Sequence, residues 1–371
     1  MKRIIFTVTN DLTYDQRMIR ICTSLTKAGY RVQLVGRKKK QSTSLPLQPF
    51  QQKRLYCFFQ KGKWFYAEYN IRLFFYLLFQ KADCICAIDL DTILPCYRVS
   101  KWKKIPRVYD AHELFCEMKE VVTRPPVYRA WKKIEKKTVP HFKWGYTVSQ
   151  PIAAELKKMY GVHYEVIRNV PFSIPLPAKE ENSRNETKEQ EKIVLYQGSV
   201  NEGRSFETLI PAMKKVNAKL YIAGDGNFML QARQLVKENQ LSEKVIFTGQ
   251  LLPEKLRELT QQAYIGITLF ENKGLSNYYS LGNRFFDYIQ AGLPQLCVDY
   301  PAYREINTGN PVAWLIDDLS SDNIAAQLNR LLNDEQLYAE LRKNCLAARE
   351  IFNWENEEKK LLQFYQSVFQ S

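Results

Sequence analysis

Three histidines in 371 residues leave little with which to build an imidazole-ligated zinc centre. The eight cysteines do not supply one either. Cys22, Cys57, Cys84, Cys86, Cys96, Cys116, Cys297 and Cys345 mostly fall inside apolar stretches, with no CxxC among them. That usage argues against a disulfide framework and predicts buried, reduced thiols in a cytoplasmic protein. Long hydrophobic runs are missing as well. The most apolar stretch, 71–79, carries Arg72 and falls far short of the roughly 20 residues of a spanning helix. The first residues enter a strand pattern directly, without the apolar core of a signal peptide.

Acidic residues are the remaining shortage. The chain has 54 Lys+Arg against 39 Asp+Glu, a formal charge of +15. Residues 1–180 hold 33 basic and 14 acidic residues, and the rest hold 21 and 25, so the whole excess belongs to the first half. The excess calls for an anionic partner: nucleic acid, a nucleotide or lipid headgroups. A charge step near the midpoint predicts two domains facing different partners. With 45% hydrophobic and 25% charged residues, each half is long enough to bury a core.

The pattern along the chain is alternating α/β. A strand over 3–9, a helix with Met18, Ile21, Cys22 and Leu25 on one face, and a strand over 31–36 form a βαβ opening. Short apolar runs follow at 84–88, 107–109, 145–148 and 164–167, with a helix start at Ser149 and Pro151. The pattern then collapses into Pro175, Pro177 and a charged run that can bury no face. Alternation restarts with strands expected over 193–196, 219–223, 245–247, 265–270 and 295–298. Helices are expected over 206–215, 229–239, 254–263 and 284–291, with a helical tail from Asp322. The divisions expected are an N-terminal domain over 1–171, a linker over 172–191, a second domain over 192–352 and a returning C-terminal helix over 353–371.

In open parallel sheets ligands bind beyond the carboxyl ends of strands, so the loops after strands carry the candidates. Gln197-Gly198-Ser199-Val200-Asn201-Glu202-Gly203-Arg204-Ser205 joins a strand to a helix. Glycines allow close backbone approach, a helix start offers free N–H groups and Arg204 adds charge, together a diphosphate cradle. It lacks the ending of a Walker loop. The next strands end in Ala223-Gly224-Asp225-Gly226 and Phe247-Thr248-Gly249, either ordinary turns or a shared rim. In the segment from Asn277 through Ser280, Asn283, Arg284 and Asp287 to Pro294, a polar loop feeds an amphipathic helix. Asn283 and Arg284 stand at its entrance and Asp287 one turn on, placed to accept from ribose hydroxyls.

At this segment the sequence resembles the retaining GT-B glycosyltransferases of group 1, glycosyltransferase family 4. Tyr14-Asp15-Gln16-Arg17, Tyr109-Asp110-Ala111-His112-Glu113, Thr147-Val148-Ser149, Arg168-Asn169-Val170-Pro171, Gly198 to Arg204, Gly224-Asp225-Gly226 and Pro301 to Glu305 follow in the family's order. The resemblance implies two Rossmann-like α/β domains facing across a cleft. The second would bind a UDP-, GDP- or ADP-sugar and the first a glycan or lipid-linked acceptor. It implies donor contacts at Gly198, Ser199, Asp225, Gly226, Thr248, Gly249, Asn277, Ser280, Asn283 and Asp287, and acceptor-side residues Asp11, Tyr14 and Arg17. His112, Glu113, Arg204 and Arg284 would serve catalysis without cofactor or metal. The companion Arg after the first glycine is Ser199 here. The first Glu of the family's Glu-x7-Glu pair is Tyr279, so its role passes to Glu271, to Asn277 or to no residue.

His112 and Glu113 also stand on their own as polar residues directly after a strand. Asp89-Leu90-Asp91 is weighed as a decoy: in an extended segment the two carboxylates share a face and a cation, yet they lie far from every glycine loop. A basic nucleic-acid-binding protein, a nicotinamide oxidoreductase and a GT-B phosphorylase or epimerase are the rival readings. The oxidoreductase fails because Gly36-Arg37-Lys38 stands where an acidic residue should end the second strand. Trp102-Lys103-Lys104 and Trp131-Lys132-Lys133 support a nucleic-acid partner or are solvated helix faces. The aromatic stretch 64–79 is either a core helix or, with the basic excess around it, a docking surface for an anionic cytoplasmic leaflet.

Overall fold

A computed structural model describes residues 1–13, 15–175 and 191–370; Tyr14 and most of the expected linker lie outside them. The chain divides into two units. One gathers Met1–Asn169, Gly274–Ser280 and the chain from Glu357 on, and the other holds Val170–Lys273 and Leu281–Asn356.

The first unit is built on a parallel sheet of β1 (Arg3–Thr7), β2 (Arg31–Lys38), β3 (Gln51–Tyr56), β4 (Cys84–Ile88), β5 (Arg107–Ala111), β6 (Trp144–Thr147) and β7 (Glu165–Val166). Its order is β3-β2-β1-β4-β5-β6-β7, with Ile4 paired to both Val32 and Cys84. β4, CICAI, is buried along its whole length and reads as an unbroken apolar run, and β1 carries Ile4, Ile5 and Phe6, all buried, between Arg3 and Thr7. The second sheet joins β8 (Ile193–Gln197), β9 (Lys219–Ala223), β10 (Val245–Gly249), β11 (Ile265–Thr268), β12 (Gln295–Val298) and β13 (Ala313–Ile316) in the order β10-β9-β8-β11-β12-β13. In each sheet the strand order reverses beside the first strand of the unit. Such a reversal opens a crevice beyond the strand ends, between β1 and β4 in one unit and between β8 and β11 in the other.

Several elements differ from the sequence expectation. β3 reads QQKRLY because it is an edge strand with little to bury. The helix expected over 206–215 ends at Ala212 and tightens into a 3₁₀ turn over Met213–Lys215 after Pro211. The tail is three helices, Ser321–Asn333, Glu335–Ala348 and Trp354–Gln370. Asp334 breaks the first from the second by accepting from the Leu337 amide at 3.0 Å. Ser149 does not cap the helix Gln150–Tyr160; its hydroxyl donates instead to the Tyr279 carbonyl at 3.0 Å. All eight cysteines are buried and unbridged. Among the described residues no helix is long and apolar enough to cross a membrane.

The last helix completes the first unit's core. Tyr365, fully buried, meets the rings of Phe6 and Tyr146, and Phe364 packs edge-on against Tyr146 with centroids 5.2 Å apart. Glu357 accepts from the Arg168 amide at 2.9 Å. Truncating Tyr365 to Ala empties a site walled by these rings and is expected to cost about 3–5 kcal/mol, read as a lowered urea midpoint.

Candidate functional site

The crevice of the first unit is lined by the loops after β1, β4 and β5. Asp110, at the end of β5, is completely buried and held by Arg17 from the helix Gln16–Lys27, with Nη2 to Oδ1 at 2.7 Å and Nε to Oδ2 at 3.3 Å. Arg17 is itself buried. Two of its nitrogens serve Asp110, whose buried carboxylate needs them, and Nη1 is left without a hydrogen-bond partner. Asp11 is likewise anchored, by the hydroxyls of Thr13 and Ser42 and by Arg54 of β3 at 2.9 Å. Burial raises the Asp11 pKa, but these partners outweigh it and the net shift is downward. Arg54 also donates to the Asp11 carbonyl at 2.7 Å; the sequence reading missed it because β3 was not recognised as a strand.

His112 stands two residues beyond Asp110, its side chain 40% exposed, with Nδ1 2.6 Å from Asp89 Oδ2. Burial disfavours the imidazolium, yet the Asp89 carboxylate, seconded by Glu113, holds the His112 pKa well above its ordinary value. The residue weighed as a decoy, Asp89, is thus the charge partner of His112. Asp89 sits at φ +55°, a conformation uncommon outside glycine, and the chain turns into a 3₁₀ segment at Leu90–Thr92. The Asp89–Asp91 segment is therefore not extended. Asp91 is buried and hydrogen-bonded to the Thr9 hydroxyl. Burial, and then the Asp89 charge, push it up to about 7. Asp89, His112 and Glu113 bring ligand atoms within 4.8 Å of one another, a donor set suited in principle to a cation.

The second unit's crevice forms where β8, β9 and β10 end side by side. Their loops are tied by backbone bonds: Gly198 N–H to the Ala223 carbonyl, Val200 N–H to Asp225 and Gly224 N–H to Gly249, at 2.8 to 3.0 Å. The contact is so close that a Cβ on Gly224, at φ +149°, would lie 1.8 Å from the Gly198 carbonyl oxygen. Gly198, at φ +119°, leaves its open face to Arg284, whose Nη2 would stand 3.2 Å from a Cβ there. Arg284 comes from the first turn of the helix Asn283–Gln290 and stacks over the Tyr196 ring at 4.1 Å. Its Nη1 is buried without a hydrogen-bond partner, and so is the Ser205 hydroxyl at the end of the same glycine loop. Unsatisfied buried donors of this kind mark a place for an acceptor-rich ligand.

Asp287, one turn after Asn283, accepts from the Gln197 side-chain amide at 2.9 Å, and Gln197 in turn accepts from Thr260 at 2.9 Å. Sequence reasoning passed over Gln197, although it is the last residue of β8 and points at the helix. Asp225 is exposed and closes its own turn onto the Gly226 amide. Thr248 donates to the carbonyls of Ile222 and Gly249, while Ser199 is exposed on the loop. Arg204 lies over the Phe270 ring at 5.4 Å. Asn277 and Ser280, grouped with these residues from the sequence, belong with the first unit, where Ser280 donates to the Asn277 carbonyl and Tyr279 packs on the core. Of Tyr279, Glu271 and Asn277, Glu271 alone is in the second unit; its amide donates to Gly203 at 2.9 Å and its carboxylate pairs with Lys273.

Comparison with known proteins places this architecture. Residues 16–173 match the family model described as Glycosyltransferase Family 4, and residues 178–347 the model described as Glycosyl transferases group 1. The chain belongs to this family of GT-B glycosyltransferases. It is similar to N-acetyl-alpha-D-glucosaminyl L-malate synthase of Bacillus anthracis, 23% identical over 49% of this chain and 46% of that one. The chain spans about half the length of the curated relatives it matches. Its fold is that of sucrose-phosphate synthase from Thermosynechococcus elongatus, with TM-score 0.82, 17% identity and full coverage of both chains. The fold is also that of Anabaena HepE in complex with UDP-glucose, with TM-score 0.74, 13% identity, and 99% of this chain and 100% of that chain covered.

Two outcomes check the geometry. Asp89→Asn is expected to return the His112 titration, followed by NMR, toward an ordinary imidazole value. The stabilisation that His112 provides in the wild type is complete below its unfolded pKa and is lost as pH rises through the raised folded value. The variant should lose that dependence. Gly224→Ala is expected to destabilise the second unit by at least about 1–3 kcal/mol, seen in chemical denaturation.

Proposed function

We propose that this protein transfers a sugar from a nucleoside-diphosphate sugar to the hydroxyl of a glycan or lipid-linked acceptor, with retention of configuration, in the assembly of a cell-surface polysaccharide or glycoconjugate. The observation that carries the reading is the buried, unpartnered Nη1 of Arg284 beside Gly198, at the ends of β8 and β9. A diphosphate would satisfy it. Family membership supports the same chemistry, and a structural neighbour in complex with UDP-glucose makes uridine diphosphate the nucleotide to try first.

In this reading the Gly198–Arg204 loop and Arg284 receive the diphosphate, with Gly224, Asp225, Gly226, Thr248 and Gly249 forming the wall beside it. Asn283 and Asp287 lie toward the ribose, with Gln197 orienting the Asp287 carboxylate. In the transfer the bond from the anomeric carbon to the diphosphate oxygen breaks and its electron pair leaves with the diphosphate. The acceptor oxygen bonds to the same face of the sugar, and the acceptor proton passes to the departing phosphate. Arg204 and Arg284 stabilise the charge that develops there, in place of a metal ion. His112, kept cationic by Asp89, is assigned to the transfer step, with Glu113 adding to the field around it. Asn277 and Ser280 retain a proposed part in donor recognition, Asp11 one on the acceptor side. Eight buried, unbridged thiols support a reducing, cytoplasmic compartment.

Thermal unfolding with UDP, GDP and ADP tests the donor site, since a ligand of the native state alone raises its stability. One of the three is expected to raise the midpoint of the wild type and to have little effect on Arg284→Ala. The same variant should lose roughly 10²–10³ in kcat in a nucleotide-release assay. Activity is expected to survive EDTA; its abolition would overturn the metal-free assignment and turn attention to Asp89, His112 and Glu113. Failure of all three nucleotides to bind would reject the transferase reading.

A further inference from the structure

The helix Gly62–Phe79 is apolar on two opposite rows. Phe65, Tyr69, Leu73 and Leu77 are buried against the first sheet. On the other side Trp64, Ile71, Phe75 and Phe79 stand in solvent, Trp64 at 60% and Phe79 at 80% exposure. Scattered exposed apolar residues need no explanation, but these are continuous with others. Toward the sheet edge, Phe59 lies against Trp64, and Phe58 lies under the Arg72 guanidinium at 5.3 Å. A groove of about 380 Å³ runs between Tyr56 of β3 and the pair Ile71 and Phe75.

On the opposite flank the helix Ile93–Lys103 runs alongside in the same direction. Asn70 donates to the Asp91 carbonyl just before it begins, and Lys103 near its end reaches the Gln80 carbonyl. A second groove, of about 300 Å³, separates Phe74 and Phe75 from Leu94 and Arg98. Trp102, 67% exposed, is one turn beyond Arg98 on the same side.

Charge around this face has one sign. Between positions 41 and 82 the sole acidic residue is Glu68, and it is occupied by Arg72 and by the amides of Phe58 and Phe59. The helix Ile93–Lys103 has no acidic residue. Lys61, Lys63, Lys81, Arg98 and Lys101 are exposed. Aromatic rings whose edges are ringed by cations fit the headgroup level of a bilayer, where Trp and Tyr partition and basic residues meet anionic phosphates. A soluble polyanion would satisfy the cations and leave the Ile71–Phe75–Phe79 row in water.

We infer that the outer row of the Gly62–Phe79 helix, with Phe58, Phe59 and Trp102, is a docking surface for an anionic lipid bilayer, on which the protein lies without spanning it. The inference does not rest on the transferase reading, and its test needs no substrate. The purified protein is sedimented at low salt with vesicles of phosphatidylcholine alone or mixed with phosphatidylglycerol. The protein is expected to pellet with the mixed vesicles and to stay in solution with neutral ones. Phe75→Glu, at an exposed position, should leave the circular dichroism and thermal midpoint unchanged and lower vesicle partition by roughly an order of magnitude. Lys61→Ser with Lys63→Ser should weaken binding chiefly at low salt. Three results would each overturn the inference: no pelleting with mixed vesicles, Phe75→Glu binding as well as wild type, or analytical ultracentrifugation showing a dimer that Phe75→Glu dissociates. The last would mean that a second copy covers this face.

Discussion

Asp110 is a carboxylate with no exposure, and the Arg17 guanidinium is what makes it tolerable there. Taking both ions out of water costs several kcal/mol each, repaid only by close, two-point geometry. The pair meets that condition, and much of the first unit is organised around it. It ties the Gln16–Lys27 helix to the end of β5, two residues before His112. The Asp110 carbonyl accepts from the Asp89 amide at 2.9 Å, which sets the strained residue that holds the imidazole. On its other side the Arg17 guanidinium faces the Tyr146 ring at 5.9 Å, and Tyr146 carries the last helix. A charge pair thus links the imidazole site to the packing of a helix that arrives more than two hundred residues later.

The two units repeat one topology with different contents. In both, the strand order reverses beside the first strand and the loops there carry the polar groups. In the first unit those groups are charged and paired with one another, Arg17 with Asp110, Arg54 with Asp11 and His112 with Asp89, while Arg17 Nη1 and Asp89 Oδ1 keep no hydrogen-bond partner. In the second they are mostly backbone amides, with Arg284 Nη1 and the Ser205 hydroxyl left without one. The first rim is held by opposite charges, the second by its own backbone.

Much of this was legible in the sequence, because buried parallel strands announce themselves. The strands over 84–88, 219–223 and 295–298 fall where the apolar runs put them. β3 did not, since an edge strand with polar faces carries no such signal. The helix Gly62–Phe79 presented a subtler difficulty: its two apolar rows lie opposite each other, so periodicity alone cannot say which is buried. Trp131-Lys132-Lys133 also proved less solvated than its charge suggests, for Lys132 bridges Glu117 and Glu135. The glycine loops and Arg284 were found by motif. The pairing of His112 with Asp89, and of Asp287 with Gln197, was not, because each joins residues brought together by strand order rather than by spacing.

The first unit's core is written at both ends of the message. Phe6, Tyr146 and their neighbours are made early, while Phe364 and Tyr365, which close over them, emerge about 190 residues after Asn169. At ordinary translation rates of about 5–20 residues per second that is a wait of roughly 10–40 s. During that interval the nascent unit has a finished sheet and an open wall of aromatic rings. Completion of its core is timed by the synthesis of the second unit rather than by its own.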